Sequence, residues 1–475
     1  MNKKVKSILI GGIVLLLLVA AVVVLKLTEK PAEQENSSSS SDSSVIMLWQ
    51  ADREEVVKVA VENEKGGYVA EAREDKNLTI PAIAEGYRLK NNDFVTLQNS
   101  MATLTATRIV EENPEDLSKY DLTEPAVIAV ATLSDGTVNT VRIGGQLPTS
   151  GGYYAQVNDD TTVYAVANVD VDKLFYGEAD FLDLNILTAP ESGEADISRI
   201  QVDGAGFADK PLILEEVPGD SGYGSGYNIV SPISAGLNST TGQPLVTGLQ
   251  SLTASEAAAI AKSGEDKAQY GFDAPYAVVS YTRDGKDGAL YIGDETTLED
   301  GTAARYLMTQ DSGVIYTVTV ANLPWITADI DNLFSSLLLI PSIDTVDTVT
   351  VLAGGETYTF KSSGDVQNIE ATVNGNEMDP DNYRTMYEFL ISASAKEINY
   401  GSEKGNSLAQ ITFHYRDGAK SDDTIEFFSI AGGSDRKCII SLNGSDSFLT
   451  ETRYVDKLTA NCQKVLDGGA PSLDY

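Results

Sequence analysis

Histidine is nearly missing from this 475-residue chain: His414 is the only one. Cysteine is almost as scarce, with Cys438 and Cys462 alone. An ordinary zinc site draws three or four ligands from those two residue types, so the supply here is thin. Basic residues are outnumbered as well, 34 Lys and Arg against 70 Asp and Glu, for a net charge of −36. Nucleic acids and anionic lipid surfaces are held by basic patches, and this balance excludes both as partners.

The few residues that could carry chemistry lack company. His414 sits in "ITFHYRDG", a strand-like run on which it shares a face with Thr412 and Arg416. Compared with earlier parts of the chain it aligns with Tyr281 and Thr132, so it reads as a strand residue and not as a general base or metal ligand. Cys438 falls in a strand-like run and Cys462 in "ETRYVDKLTANCQKVL", a helical stretch. Folding of that helix over the preceding sheet would make a disulfide conceivable in an oxidising compartment; two separate buried thiols are the alternative. The glycine cluster "DSGYGSGYNIV" (220–230) has neither the lysine nor the following helix of a phosphate-binding loop, and reads as a long hairpin loop. The acidic runs "NGNEMDPDN", "VNDDTT" and "GDETTLEDG" lack the glycine and closing glutamate of an EF-hand and imply weak surface calcium binding at most. No catalytic, cofactor-binding or metal residue is therefore assigned, and a non-enzymatic protein is expected.

What is present begins at the N-terminus. Lys3, Lys4 and Lys6 precede "SILIGGIVLLLLVAAVVVLKL" (7–27), in which no residue from Ile8 to Leu25 is charged. As a helix rising about 1.5 Å per residue, that run crosses a bilayer core of about 30 Å. The lysines place the short tail 1–6 in the cytoplasm and the bulk of the chain outside it. The polar, serine-rich run 28–44 reads as a spacer.

Beyond Val45 the chain repeats itself. "EVVKVAVENEKGGYVAEARED", "ISRIQVDGAGFADKPLILEE" and "VDTVTVLAGGETYTFKSS" alternate apolar and polar residues around a glycine-containing turn, the period of a sheet with one buried face. Next come "FVTLQNSMATLTA", "PLVTGLQSLTA" and "NYRTMYEFLISA", which put Leu97, Met101 and Leu104 in register with Leu245, Leu249 and Leu252 and with Tyr383, Tyr387 and Leu390. The four-and-three spacing predicts one helical stripe per copy, packed on the sheet. In the third copy "DPDN" supplies a cap and a first-turn proline.

Asp-Gly pairs at 135–136, 284–285 and 417–418 then predict tight hairpins. "VRIGG", "LYIGD" and "FSIAGG" are expected to end the following strands in glycine. A last hairpin is expected to pair Tyr154 with Tyr164, Tyr306 with Tyr316 and Cys438 with Phe448. The expectation is an α+β chain of three tandem repeats (45–187, 195–340 and 341–466), each an antiparallel β-sheet with one or two packed helices, behind a single transmembrane helix and followed by a tail at 467–475.

The stretches "IVEENPEDLSKYDLTEPAVIAVATLSDG", "IGGQLPTSGGYYAQVNDDTTVYAVA" and "QYGFDAPYAVVSYTRDG" resemble the bacterial family called domain of unknown function 4340. The likeness is clearest in the first two copies; the third has only "NYGSEKGNSLAQITF" where the Tyr-Gly-Leu-x-x-Pro lead-in should stand. Because the family has no established activity, the resemblance implies no catalytic residue and no cofactor. It implies a membrane-anchored envelope protein auxiliary to an ABC transporter of the gliding-motility type, with the permease or its auxiliary subunits as partners. A cell-wall or glycan-binding module is the alternative, suggested by 22 tyrosines and the repeats.

Overall fold

The computed structural model describes residues 45–148, 151–191, 193–217, 226–261, 264–364, 367–418, 420–433 and 435–475. The expected tail, anchor and spacer at 1–44, and most of the glycine cluster, lie outside the described residues. Among the described residues no helix is long and apolar enough to cross a membrane.

Mostly antiparallel sheets with a few helices make up the body. The first large sheet runs, edge to edge, Leu78–Thr79, Tyr68–Ala72, Val56–Asn63, Val127–Leu133, Val138–Gln146, Gly152–Val157, Val163–Ala167, Arg108–Glu111. The second runs Ala235–Gly236, Tyr227–Ser231, Phe207–Glu216, Ile197–Gly204, Ala277–Arg283, Lys286–Thr297, Ala303–Thr309, Val314–Thr319, Glu256–Ile260. A third sheet of nine strands has its central pair in Val346–Ala353 and Lys404–Tyr415 and its last edge in Glu397–Ile398. Alternation does what the sequence predicts: along Val127–Leu133 every second side chain is fully shielded.

Helix Asn91–Ala102 lies on the first sheet by Phe94, Leu97 and Met101, and its buried Gln98 donates to Val56 O and Lys76 O at 3.1 and 2.9 Å. Helix Pro380–Ile391 lies on the third, started by Asp379, whose carboxylate accepts from Asp381 N and Asn382 N. The second sheet differs, because its helix is only Gln243–Thr247. A Cβ at the next residue, Gly248, would stand 2.9 Å from the ring of Trp325, so the indole occupies the space a longer helix would need. Leu249 and Leu252 are still buried, but outside a helix, and Leu104 is on strand Thr103–Ala106. The third stripe is the expected single helical face, with Tyr383, Tyr387 and Leu390 all on Pro380–Ile391, whereas the first continues from helix into strand and the second leaves its helix early; every named residue nevertheless reaches the core.

The turns differ in the same way. Of the three Asp-Gly pairs, Asp284-Gly285 alone is a two-residue hairpin with both φ positive, +52° and +70°. At Asp135 the carboxylate accepts from Thr137 N at 2.8 Å and Gly136 alone takes φ +89°; after Tyr415 the chain makes a 3-10 turn, Arg416–Gly418. The shorter middle turn shifts the register by one, so His414 corresponds by pairing to Thr282 and Thr132 and not to Tyr281. Two of the three glycine-ended strands do not end there: Val138–Gln146 passes through Gly144 and Gly145, and Lys286–Thr297 through Gly293, each with a shift of register. The last hairpins are displaced too, pairing Tyr154 with Ala165, Tyr306 with Thr317 and Cys438 with Thr450. A one-residue slip sends side chains to opposite faces, which is why Tyr164 is buried while Tyr154 meets Tyr120, with ring centroids 4.9 Å apart.

Connectors between the sheets are hydrogen-bonded on both sides. Leu182 bridges back to Leu89, and Asn185–Leu187 pairs forward with Leu252–Thr253. Phe334 bridges back to Leu237, while Leu337 bridges forward to Ser394. Ala254 N donates to Leu184 O at 2.8 Å and Ala395 N to Ser336 O at 2.7 Å. At the C-terminus, helix Thr452–Leu466 covers the third sheet through Tyr454, stacked on Phe389 and Phe427 at 4.9 and 5.3 Å. Residues 467–475 fold back onto that helix: buried Asn461 exchanges two hydrogen bonds with the Ser472 backbone, and the Tyr475 ring packs against Tyr454.

Candidate functional site

The recess between the first two sheets, about 760 Å³, is built from a turn, a short helix and a sheet edge. Asn63 organises its first wall. Its carbonyl oxygen accepts from Lys65 N and Gly67 N at 2.9 and 3.0 Å, and its amide donates to Leu174 O and Tyr176 O at 2.8 Å each. Glycine is required at 67, where φ is +68° and a Cβ would fall 1.9 Å from Val61 O. Asp180 then links the walls, accepting from Gly177 N at 2.8 Å and pairing with Lys65 Nζ at 3.1 Å. Phe181 fixes this 3-10 helix, Glu178–Phe181, to its own sheet, stacked on Phe94 at 4.6 Å and edge-on to Tyr68 at 4.9 Å. Across the recess stand Glu256–Ile260 and the T-shaped pair Tyr270 and Tyr306, whose centroids are 4.7 Å apart. The charged residues of the lining are Lys65, which pairs with Asp180, together with Glu178 and Glu256, so the lining is acidic and suits a polar or cationic surface.

Tyr270 and its counterpart Tyr120 also explain the repeated lead-in. A Cβ on Gly144 would lie 2.0 Å from Tyr120 O, and one on Gly293 2.1 Å from Tyr270 O. Asp294 N donates to Tyr270 O at 2.9 Å. The lead-in therefore docks its first carbonyl on a bulged strand, and only glycine lets it approach.

His414 has partners that sequence spacing did not reveal. Its Nε2 lies 3.2 Å from Thr350 Oγ1 and its Nδ1 2.7 Å from Asp422 Oδ2. Hydroxyl, imidazole and carboxylate are in the order of a nucleophilic triad, on the half-exposed outer face of the third sheet. Thr350, however, lies mid-strand between two paired neighbours, so the backbone N–H groups around it are engaged in the ladder and none is aimed at a developing oxyanion. The trio can orient a hydroxyl; it does not supply the donors that acyl transfer needs. Nearby, burial works to raise the Asp423 carboxyl, but hydrogen bonds from Tyr415, Asn443 and Lys420 outweigh it and hold the group below its usual range.

Cys438 and Cys462 are free, buried thiols, not a disulfide. Burial pushes each up to about 12, far from the reactive thiolate. Both should resist a thiol reagent at pH 8 in the native protein and label only on unfolding; prompt labelling of either at native conditions would contradict their placement. Among the described residues no three His, Cys, Asp or Glu side chains group to hold a metal ion. The acids of the candidate calcium runs have local duties: Asp160 accepts from Tyr164 Oη at 2.6 Å and from Thr162 N at 2.9 Å, and Asp300 from Thr302 N at 2.8 Å.

The family profile described as domain of unknown function (DUF4340) matches twice, over residues 83–256 and 228–403. Each match runs from one sheet across a connector into the next, the first starting just ahead of helix Asn91–Ala102 and the second on strand Tyr227–Ser231. No curated protein and no solved structure matches the chain.

Proposed function

The chain belongs to the DUF4340 family, and from that premise we propose that it is a membrane-anchored, extracytoplasmic, non-enzymatic scaffold, auxiliary to an ABC transporter of the gliding-motility type. In this reading residues 7–27 span the membrane, 28–44 are the spacer, and the rest is three tandem copies of one unit, the third divergent. The equivalent strand orders of the three sheets support the repeat. The observation that carries the functional reading is the pair of connectors bonded to both of their neighbours. Such joints suit a protein that holds an extended surface in a set shape more than one that opens and closes on a substrate. The acidic recess at the first joint is the natural contact for a basic face of a permease. Affinity capture of the full chain from membranes should recover a transporter permease, and charge reversal at Asp180 and Glu256 should lower that recovery. Repeated capture without any permease would refute the transporter role.

A further inference from the structure

The outer face of the second sheet carries a trough built by the register of its central strands. Gln201 pairs with Ser280, Ser280 pairs with Ala289, and Gln310 N donates to Ala289 O at 3.0 Å, so these four residues form one row across the sheet. In the next row Arg199 and Asp287 flank Thr282, and on the other side Tyr291 stands opposite Val278. Cross-strand partners share a face, and the residues that alternate with them, Ile200, Val202, Val279 and Leu290, are fully buried on the opposite one. Short side chains, Ser280 and Ala289, thus make a floor between taller walls, and the recess above it measures about 480 Å³. From Gln201 to Gln310 it crosses three strand spacings, about 14 Å.

The polar groups around this floor are only partly satisfied. Arg199 Nη2 donates to Gln201 Oε1 at 3.1 Å, whereas Arg199 Nη1 is shielded from solvent, has no hydrogen-bond partner and stops 3.9 Å from Glu215 Oε1. Asp287 Oδ1 accepts from Thr282 Oγ1 at 2.7 Å, which leaves Oδ2 open. The side chains of Ser280, Tyr291 and Gln310 make no hydrogen bond among the described residues. A shielded donor without a partner calls for an acceptor from outside the chain. Building the sheet does not require this polarity, since the first sheet has Ala60 paired with Val130 where the second has Gln201 paired with Ser280.

The chemistry of the trough selects its occupant. Arg199 and Asp287 are the charged residues of the lining and cancel, so in a chain of net charge −36 the trough is locally neutral and favours neither a polyanion nor a polycation. Strand addition is excluded, because Ile197–Gly204, Ala277–Arg283 and Lys286–Thr297 are each paired on both sides. What remains is a set of donors and acceptors in close succession beside one tyrosine ring. Hydroxyl groups, each both donor and acceptor, match that set, and the ring offers apolar surface to a sugar's C–H face.

We propose that this trough binds a neutral oligosaccharide lying across the strands. It shares no lining residue with the acidic recess, so its occupation and permease capture are independent. The full chain, purified in a detergent without a sugar headgroup, should bind cellohexaose or chitohexaose in a calorimetric titration; the difference between the two reports whether an acetamido group is read, and binding of either supports the proposal. Tyr291→Ala and Gln310→Ala, which break no hydrogen bond among the described residues, should each weaken binding about tenfold with segmental hydrogen exchange of the sheet unchanged. Polygalacturonate, an anionic sugar polymer, should not compete. Absence of binding by both hexamers, binding that survives both substitutions, or competition by the polyanion would each overturn the proposal.

Discussion

Truncating Trp325 to alanine should cost the second sheet about 3–5 kcal/mol, the usual penalty for removing a large buried aromatic. Trp325 is fully buried, donates from Nε1 to Leu245 O at 3.0 Å, and fills the volume left by the shortened helix Gln243–Thr247. Its loss removes packing and leaves a backbone carbonyl without a partner. In so large a chain the unfolding need not be two-state, so the measurement is hydrogen exchange resolved by segment. Protection should fall in Gln243–Thr253 and the strands beneath it, while the distant part of the third sheet keeps its own. Unchanged exchange around Leu245 would show that the indole is not the keystone of that layer.

The second large effect is expected at the bulge glycines. Gly293→Ala puts a methyl group where Tyr270 O now sits, with a separation of 2.1 Å, and Gly144→Ala does the same to Tyr120 O at 2.0 Å. Neither obstacle is a flexible side chain, so the lead-in must lift off, at a cost of about 3 kcal/mol, the upper part of the overpacking range. Separation of the Tyr270 and Tyr306 rings should accompany the loss and can be followed by aromatic NMR shifts. Gly86→Ala is the control: a Cβ there meets nothing within 4 Å, and its stability should stay within about 0.5 kcal/mol of the parent. Equal behaviour of Gly86→Ala and Gly293→Ala would remove the steric account.

These sites show where sequence reasoning reached and where it stopped. Period-two alternation located the strands of the opening hairpins, and Asp379-Pro380 marked a helix start, because both signals are local. Strand Ile46–Gln50 was not legible: "IMLWQ" has no alternation, and its partner Thr103–Ala106 looks like the tail of a helical stripe. The glycines were visible but their reason was not, since it lies in a carbonyl of a separate segment. His414 was judged without partners because Asp422 approaches it across the loop that follows Tyr415. The recess was invisible for the same cause: Lys65 and Asp180 are far apart in sequence and meet only because Phe181 pins the short helix to Phe94. Local chemistry can be read from spacing, whereas contacts between distant segments need the fold.

The doubly bonded connectors have a mechanical meaning. A length such as Leu182–Leu187, bridged to Leu89 behind it and paired with Leu252–Thr253 ahead, cannot be drawn out like a loose tether when the chain is pulled at its two ends. Tension entering one sheet must shear backbone hydrogen bonds before it can stretch the joint, so load passes from sheet to sheet as it would along a jointed rod with its hinges locked. A scaffold fixed at one end would then pass a push or a turn at the other back to its base, with little lost to slack on the way.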